Sequence, residues 1–222
     1  MRDSYHEELD DINACLVEMA NSVGSQMSTA TTALLDADVA LADLVIAGDD
    51  QIDATRENIE QRTFTLLARQ QPVAGDLRTI TTAMRIVADL ERMGDLAAHI
   101  AKVARMRFPD HAVPQEVRPA FLEAGNVAEL LITKTATVIA KRDVEAAQEL
   151  ETDDDAMDQI HRGLFRQLLS EDWPHGIESA IDITLLGRYY ERFADHAVSV
   201  ARRVCYLVTG ERYDTTTSSS VG

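Results

Sequence analysis

The sequence predicts an all-α protein made of two tandem, duplicated three-helix bundles. Only 10 glycines and 5 prolines occur in 222 residues, so few positions oppose helix formation. Apolar residues make up 45% and charged residues 27% of the chain, a balance that supports a buried core. The segment Glu91-Arg92-Met93-Gly94-Asp95 returns one hundred residues later as Glu191-Arg192-Phe193-Ala194-Asp195, which indicates an internal duplication.

The first helix is predicted from an apolar stripe that runs from Leu9 to Leu44 in steps of three and four residues. We expect one helix of about forty residues, ended by Gly48, that must pack on neighbours because a single stripe cannot stabilise it alone. The second helix is expected to begin with Asp49 and to end before Pro72. The third helix is expected to be capped by Asp76 and to stop near Pro109.

Three of the five prolines fall between Arg107 and Pro119, which indicates the boundary between the halves. The fourth helix is expected over residues 116–141, the fifth from Thr152, and the sixth from Ile177 to a glycine cap at Gly210. The resulting prediction is a first bundle over 1–108, a linker over 109–119, a second bundle over 120–210 and a disordered tail over 211–222.

The net charge of −17 excludes nucleic acid as the main partner, because phosphate binding needs clustered Lys and Arg. The first residues contain no apolar signal region, and no uncharged apolar run is long enough to enter a membrane. Cys15 and Cys205 lie far apart in sequence and are predicted to be reduced thiols. We therefore expect a cytoplasmic protein without membrane insertion.

Two pairs of carboxylates at spacing i,i+4 occur in each half, and this spacing places both members of a pair on one helix face. The pairs are Asp49 and Asp53, Glu91 and Asp95, Asp154 and Asp158, and Glu191 and Asp195. An antiparallel helix hairpin brings the start of one helix beside the end of the next. Each half is therefore expected to gather four carboxylates into one cluster.

Three interpretations of the clusters remain open at this point: a solvated face, a salt-bridge network with the neighbouring arginines, or a metal site. Oxygen-rich sites suit hard or borderline cations such as Mg²⁺, Mn²⁺ or Fe. His99 could add a nitrogen ligand in the first half, where the second half has Ser199. A carboxylate-bridged metalloenzyme would need a Glu-x-x-His on each of two helices, and the nearest match is Asp158-x-x-His161, found once.

Three motifs resemble the PhoU family of phosphate-regulon accessory proteins. They are Gln71-Pro72-x-x-x-Asp76-Leu77-Arg78, Ala88-Asp89-Leu90-Glu91-Arg92-Met93-Gly94-Asp95, and Tyr190-Glu191-Arg192-Phe193-Ala194-Asp195-His196. The resemblance covers about residues 3 to 210. Two departures occur in the second half, which lacks a counterpart of Asp76-Leu77-Arg78 and has Ala194 in place of Gly94.

The resemblance implies two tandem three-helix bundles whose acidic pairs hold a divalent or transition metal (Fe, Zn, Mg or Mn). It also implies a homodimeric, non-enzymatic adaptor that links the ATPase subunit of the phosphate-specific ABC transporter to the phosphate-regulon sensor histidine kinase. Such an adaptor acts as a negative regulator of the phosphate-starvation response. The sequence supports the absence of catalysis, since it has no Gly-rich phosphate loop and no redox CxxC. The alternative is a metal-binding helical bundle with metalloenzyme or metal-storage activity.

Overall fold

A computed structural model describes residues 2–70, 72 and 74–211, and within these residues the chain forms six helices and no strand. The helices are α1 (Arg2–Asp36), α2 (Val39–Gln70), α3 (Gly75–Arg107), α4 (Arg118–Lys141), α5 (Val144–Leu168) and α6 (Gly176–Thr209). The prediction of an all-α protein is confirmed. Gln71 of the first motif and the predicted tail beyond Glu211 lie outside the described residues.

The helices form two bundles of three. In the first bundle α1, α2 and α3 contact one another, and in the second α4, α5 and α6 do the same. Across the bundles α1 packs along α4 and α3 packs along α6, so buried side chains from both halves form one continuous core. The predicted bundle architecture is therefore present, while the division into separate domains at residues 109–119 stays a prediction.

The boundary between α1 and α2 differs from the prediction. The first helix ends at Asp36, and Ala37 takes a left-handed conformation with φ 51°. The Oδ1 atom of Asp38 then accepts hydrogen bonds from the backbone N–H groups of Ala40 (2.9 Å) and Leu41 (3.0 Å), which makes Asp38 the N-cap of α2. The prediction of one helix of about forty residues was wrong because the apolar spacing continues across this tight turn.

Gly48, expected to end the first helix, lies inside α2. A β-carbon at this position would sit 3.0 Å from Nε2 of Gln26 on α1, so the glycine permits a close approach of the two helices. Leu44, expected on the buried stripe, is 64% exposed. As a consequence Asp49 and Asp53 lie about three helical turns inside α2 rather than at its start.

The fifth helix also begins earlier than predicted. Asp143 caps it by accepting a hydrogen bond from the backbone N–H of Ala146 (3.1 Å), so α5 starts at Val144 and not at Thr152. Asp76 lies in the first turn of α3, but the N-cap is Ala74 and makes no side-chain cap, so that expectation was wrong too. The expected glycine cap at Gly210 is confirmed, with φ 77° and a hydrogen bond from its N–H to the carbonyl of Tyr206.

A buried hydrogen bond joins the two halves at their centre. The hydroxyl groups of Thr31 on α1 and Tyr190 on α6 lie 2.8 Å apart, and Tyr190 packs against Phe121 of α4. Gly125 of α4 makes room for this contact, because a β-carbon there would lie 2.6 Å from Cγ2 of Thr31. Three helices from both halves therefore meet at one point.

None of the helices, over the residues that the structure describes, is both long and apolar enough to cross a membrane. Cys15 and Cys205 are both free thiols, as predicted.

Candidate functional site

The first candidate site lies between α2 and α3. Gly94 has no side chain to separate the helices, and a β-carbon there would lie 3.1 Å from Cγ2 of Ile52 on α2. This close approach brings together the four predicted carboxylates of the first half, Asp49, Asp53, Glu91 and Asp95. Burial first, and then repulsion from the neighbouring carboxylates, raises the pKa of both Asp49 and Glu91 above its ordinary value.

The second candidate site has the same arrangement between α5 and α6. Gly187 permits the close approach here, since a β-carbon would lie 3.3 Å from both His161 and Leu164 of α5. The structure brings together Asp154, Asp158, Glu191 and Asp195. Burial, followed by repulsion from the surrounding carboxylates, raises the pKa of Asp154 to about 6. The second cluster is therefore strained by like charge at neutral pH.

Arginines neutralise part of each cluster. The ion pairs join Arg92 to Asp95 (2.8 Å), Arg56 to Asp53 (3.8 Å), Arg162 to Asp158 (2.9 Å), and Arg188 to Glu191. No group of three or more His, Cys, Asp or Glu side chains is placed to hold a metal ion within the described residues. As placed, the carboxylates thus show the salt-bridge arrangement, and a metal would need them to turn from the arginines toward a common centre.

The two clusters differ at one equivalent position. Asp53 and Asp158 are 105 residues apart, and the same offset relates Arg56 to His161. Arg56 carries a permanent positive charge and also pairs with Glu60 (3.2 Å). In contrast, His161 has a buried Nε2 atom without a hydrogen-bond partner. Two arginines pair with each cluster, and the second cluster in addition has a histidine nitrogen close to it.

His99, which was considered as a further ligand in the first half, is exposed and stacks on Tyr189 of α6 with ring centroids 5.3 Å apart. A protonated His99 ring would lower the pKa of Asp49, so His99 lies close enough to interact electrostatically with the cluster. Its counterpart Ser199 instead donates a hydrogen bond to Asp89 of α3 (3.2 Å). The two positions are thus occupied differently in the two halves.

Comparison with known proteins decides the family. The PhoU domain matches this chain twice, over residues 16–104 and 121–204. The chain belongs to the PhoU family. The two matches coincide with the two bundles, so each PhoU domain contributes one acidic cluster.

The PhoU relatives cover nearly the whole chain. The chain is 49% identical over 210 residues to "Phosphate-specific transport system accessory protein PhoU homolog 2" of Mycobacterium tuberculosis, which covers 95% of this chain and 99% of the relative. It is 34% identical over 212 residues to the PhoU homolog of Pseudomonas aeruginosa, covering 93% and 86%.

Solved PhoU structures have the same fold. The crystal structure of PhoU from Pseudomonas aeruginosa superposes with a TM-score of 0.87 at 32% identity, covering 93% of this chain and 100% of that one. PhoU from Streptococcus pneumoniae, described as a phosphate transport system regulatory protein, superposes with a TM-score of 0.86 at 26% identity, covering 95% and 99%.

One polar cluster of this PhoU-family chain was missed at the sequence level. Asp89 of α3 is 7% exposed and accepts hydrogen bonds from Arg203 (2.6 Å) and Ser199 (3.2 Å) of α6, and its Oδ1 lies 3.1 Å from Nδ1 of His196. Burial alone would raise the pKa of Asp89, but the hydrogen bonds from His196 and Arg203 outweigh it and lower that pKa. The partners lie more than one hundred residues away in sequence, so local spacing gave no signal.

Proposed function

We propose that this protein is a phosphate-transport accessory protein that negatively regulates the phosphate-starvation response. In this role it is a cytoplasmic, non-enzymatic adaptor between the ATPase subunit of the phosphate-specific transporter and the phosphate-regulon sensor histidine kinase. The observation that carries the proposal is the match, over nearly the full length, to relatives named as phosphate-specific transport system accessory proteins. The absence of a catalytic motif in the sequence agrees with an adaptor.

An exposed apolar surface on the second bundle gives the adaptor a place to contact a protein partner. It lies at the α5–α6 end and consists of Phe165, Leu169, Ile177, Ile181 and Leu185, which we call the hairpin patch. Leu169 is 82% and Ile177 is 81% exposed, and the three α6 residues recur every four positions, on one face. Grouped apolar exposure of this kind is typical of protein-interaction surfaces.

The first bundle repeats this patch only in part, since Leu77, the counterpart of Ile177, is 42% exposed. At an offset of one hundred residues, Ile181 corresponds to Thr81 and Leu185 corresponds to Arg85. A partner that contacts all three α6 side chains of the hairpin patch would therefore favour the second bundle. We propose the transporter ATPase subunit as the occupant, because an accessory protein of transport must contact the transporter.

Deletion and pull-down test the adaptor role. Deleting the gene should switch on phosphate-starvation genes in phosphate-rich medium, and the purified chain should capture the ATPase subunit and the cytoplasmic region of the kinase. An unchanged response in the deletion strain would refute the regulatory role.

Ile181→Asp tests the hairpin patch, with Leu122→Asp on α4 as the matched control, since the two side chains are 54% and 53% exposed. We expect Ile181→Asp to lose the ATPase subunit while Leu122→Asp keeps it. Light scattering of both variants also tests the proposed homodimer. Conversion of a dimer to a monomer by Ile181→Asp alone would assign the patch to self-association and contradict its assignment to the transporter.

We also propose that the acidic clusters bind a divalent or transition metal, with Fe, Zn, Mg and Mn as the candidates. The donor set supports it: four carboxylates lie close together in each half, and burial together with their mutual repulsion raises the pKa of Asp49, Glu91 and Asp154. A bound cation would supply positive charge that relieves this repulsion and links the two helices. The unpartnered Nε2 of His161 favours the second cluster and a nitrogen-binding ion such as Zn or Fe.

Elemental analysis of untagged protein tests the metal sites. We expect metal content to fall in Glu91→Ala/Asp95→Ala and in Asp154→Ala/Asp158→Ala, and to stay unchanged in Asp10→Ala, which removes an exposed carboxylate elsewhere. Equal metal content in all four proteins would contradict the proposal. The alternative of a carboxylate-bridged metalloenzyme has only Asp158-x-x-His161 in its favour, where the chemistry needs two such motifs.

A further inference from the structure

A cavity beside the Asp89 cluster shares two of its side chains, since Ser199 and Arg203 both line the cavity and bond to Asp89. The first half of α3 and the last turns of α6 run antiparallel and enclose an open cavity of about 400 Å³, which we call the α3–α6 groove. Its lining comes from one face of each helix, including Thr82 and Arg85 of α3 and Arg202, Arg203 and Tyr206 of α6. A cavity of this size lies within the range of small-molecule sites, about 300–1,000 Å³.

The groove is rich in positive charge although the whole protein carries −17. Arg78, one turn before the threonines, lies over the ring of Tyr206, with its guanidinium carbon 6.0 Å from the ring centroid. Arg203 and Arg202 pair with Asp89 and with Glu151 of α5, and both use Nε, which leaves their Nη groups to reach a ligand. Four arginines thus face two carboxylates.

Arg85 has no ion-pair or hydrogen-bond partner among the described residues, although it lines the groove. Guanidinium groups recognise phosphate oxygens by paired, charge-assisted hydrogen bonds. An unpaired arginine that faces two others across a cavity is therefore suited to an anion that all three can share.

Two hydroxyl groups in the groove also have no partner in the part of the chain that the structure describes. Thr82 is only 2% exposed, and its hydroxyl makes no hydrogen bond. The hydroxyl of the half-buried Tyr206 makes none either. Neither hydroxyl oxygen is fully buried, so both are free to bond to a ligand or to water in the groove.

The duplicated counterpart of the groove has the opposite character. The offset of one hundred residues takes Arg78 to Glu178 and Thr82 to Asp182. There Arg107 of α3 fills the space between the helices and pairs with both carboxylates, at 2.6 Å from Asp182. The charges of the counterpart are thus paired within the chain, whereas the α3–α6 groove keeps unmatched positive charge.

We propose that the α3–α6 groove binds a soluble anion with more than one phosphate group, such as pyrophosphate or a nucleoside triphosphate. The three lining arginines and the free hydroxyls supply donors, and the volume exceeds what a single tetrahedral anion needs. This inference rests on the groove alone and does not depend on the adaptor role.

Titration calorimetry of the full chain with inorganic phosphate, pyrophosphate and ATP, at constant ionic strength, tests the proposal. We expect pyrophosphate or ATP to bind more tightly than inorganic phosphate. Arg85→Ala should weaken that binding about tenfold or more, since it removes charge-assisted hydrogen bonds without breaking an internal ion pair. Thr82→Ser, which keeps the hydroxyl, should bind as the unaltered protein does.

Arg105→Ala is the matched control, because Arg105 is an exposed arginine on the same helix that pairs with Asp43 away from the groove. Absence of binding by all three anions, or an equal loss in Arg85→Ala and Arg105→Ala, would overturn the proposal. Sedimentation with phosphatidylglycerol vesicles tests whether the groove binds a lipid headgroup instead. Binding to the vesicles without binding of the soluble anions would also overturn the proposal. Failure of these tests does not affect the gene-deletion and pull-down results, so the two proposals are judged separately.

Discussion

Replacement of Asp154 by asparagine should stabilise the metal-free protein at neutral pH. Asp154 is half-buried on α5 and faces the carboxylates of Asp158, Glu191 and Asp195, which together with burial raise its pKa from 3.8 to about 6. Because the folded state holds this proton more tightly than the unfolded state, the folded protein loses stability as the pH rises through the interval from 3.8 to about 6. Asparagine is always neutral and avoids that loss.

The size of the effect follows from the shift. Each pKa unit corresponds to about 1.4 kcal/mol, so the full shift would be worth about 3 kcal/mol. Partial solvent access reduces this to roughly 1–2 kcal/mol, or about 2–8 °C in melting temperature for a chain of this size. The gain should be absent below about pH 4, grow as the pH rises and reach a plateau above about pH 6.

Thermal and urea unfolding in chelator, from pH 4 to pH 8, measures the gain. Asp10→Asn is the control, because it removes one negative charge from an exposed position on α1 and so accounts for the general effect of lowering the net charge. An equal gain in both variants, or a loss of stability in Asp154→Asn at pH 7.5, would refute the reasoning. Addition of Mn²⁺ should then stabilise the unaltered protein more than Asp154→Asn, if the second cluster binds metal.

Three further variants test the contacts that hold the halves together and define α2. Gly125→Ala should destabilise the protein by about 1–3 kcal/mol in urea, because the new methyl group meets Thr31, and adding Thr31→Ser should recover part of the loss. Asp89→Asn should cost about 3 kcal/mol of unfolding free energy at pH 7, because it leaves Arg203 without its carboxylate. The pKa of Asp89 is lowered in the folded protein, so the stability difference between the two proteins should vanish as the pH falls through that pKa. Urea unfolding at a series of acidic pH values measures it. Asp38→Ala should remove the cap of α2 and about 1 kcal/mol, measured in the same urea series.

The helical class and the duplication could be predicted because their signals are local. Scarce glycine and proline, apolar spacing and the repeated Glu-Arg-x-x-Asp segment each lie within one stretch of chain. The turn between α1 and α2 could not be placed, because it depends on Ala37 in a left-handed conformation that alanine rarely adopts. Asp38 is a good N-cap residue and did indicate the start of a helix at this point. Gly48 indicated a helix end more strongly, and it led to the wrong boundary.

For the candidate sites, sequence spacing placed the eight carboxylates in pairs, and hairpin geometry placed the pairs opposite each other. It did not reveal which arginine turns toward which carboxylate, since several lie within one turn of each pair. Nor did it reveal the α3–α6 groove, whose arginines come from helices more than one hundred residues apart. Contacts between the halves depend on how the bundles dock, which no local pattern encodes.

The two halves keep the same framework and differ where charge is placed. Most buried positions of α3 and α6 are apolar or small in both copies, since each helix must fill one shared core. The polar positions diverge: Thr82 corresponds to Asp182, and Arg56 corresponds to His161. Duplication therefore preserved the packing while the positions of the charged side chains changed. The proposed anion groove draws its α3 wall from the first half, and the second half carries the acidic cluster with His161 and the hairpin patch, so the bundles are suited to different ligands.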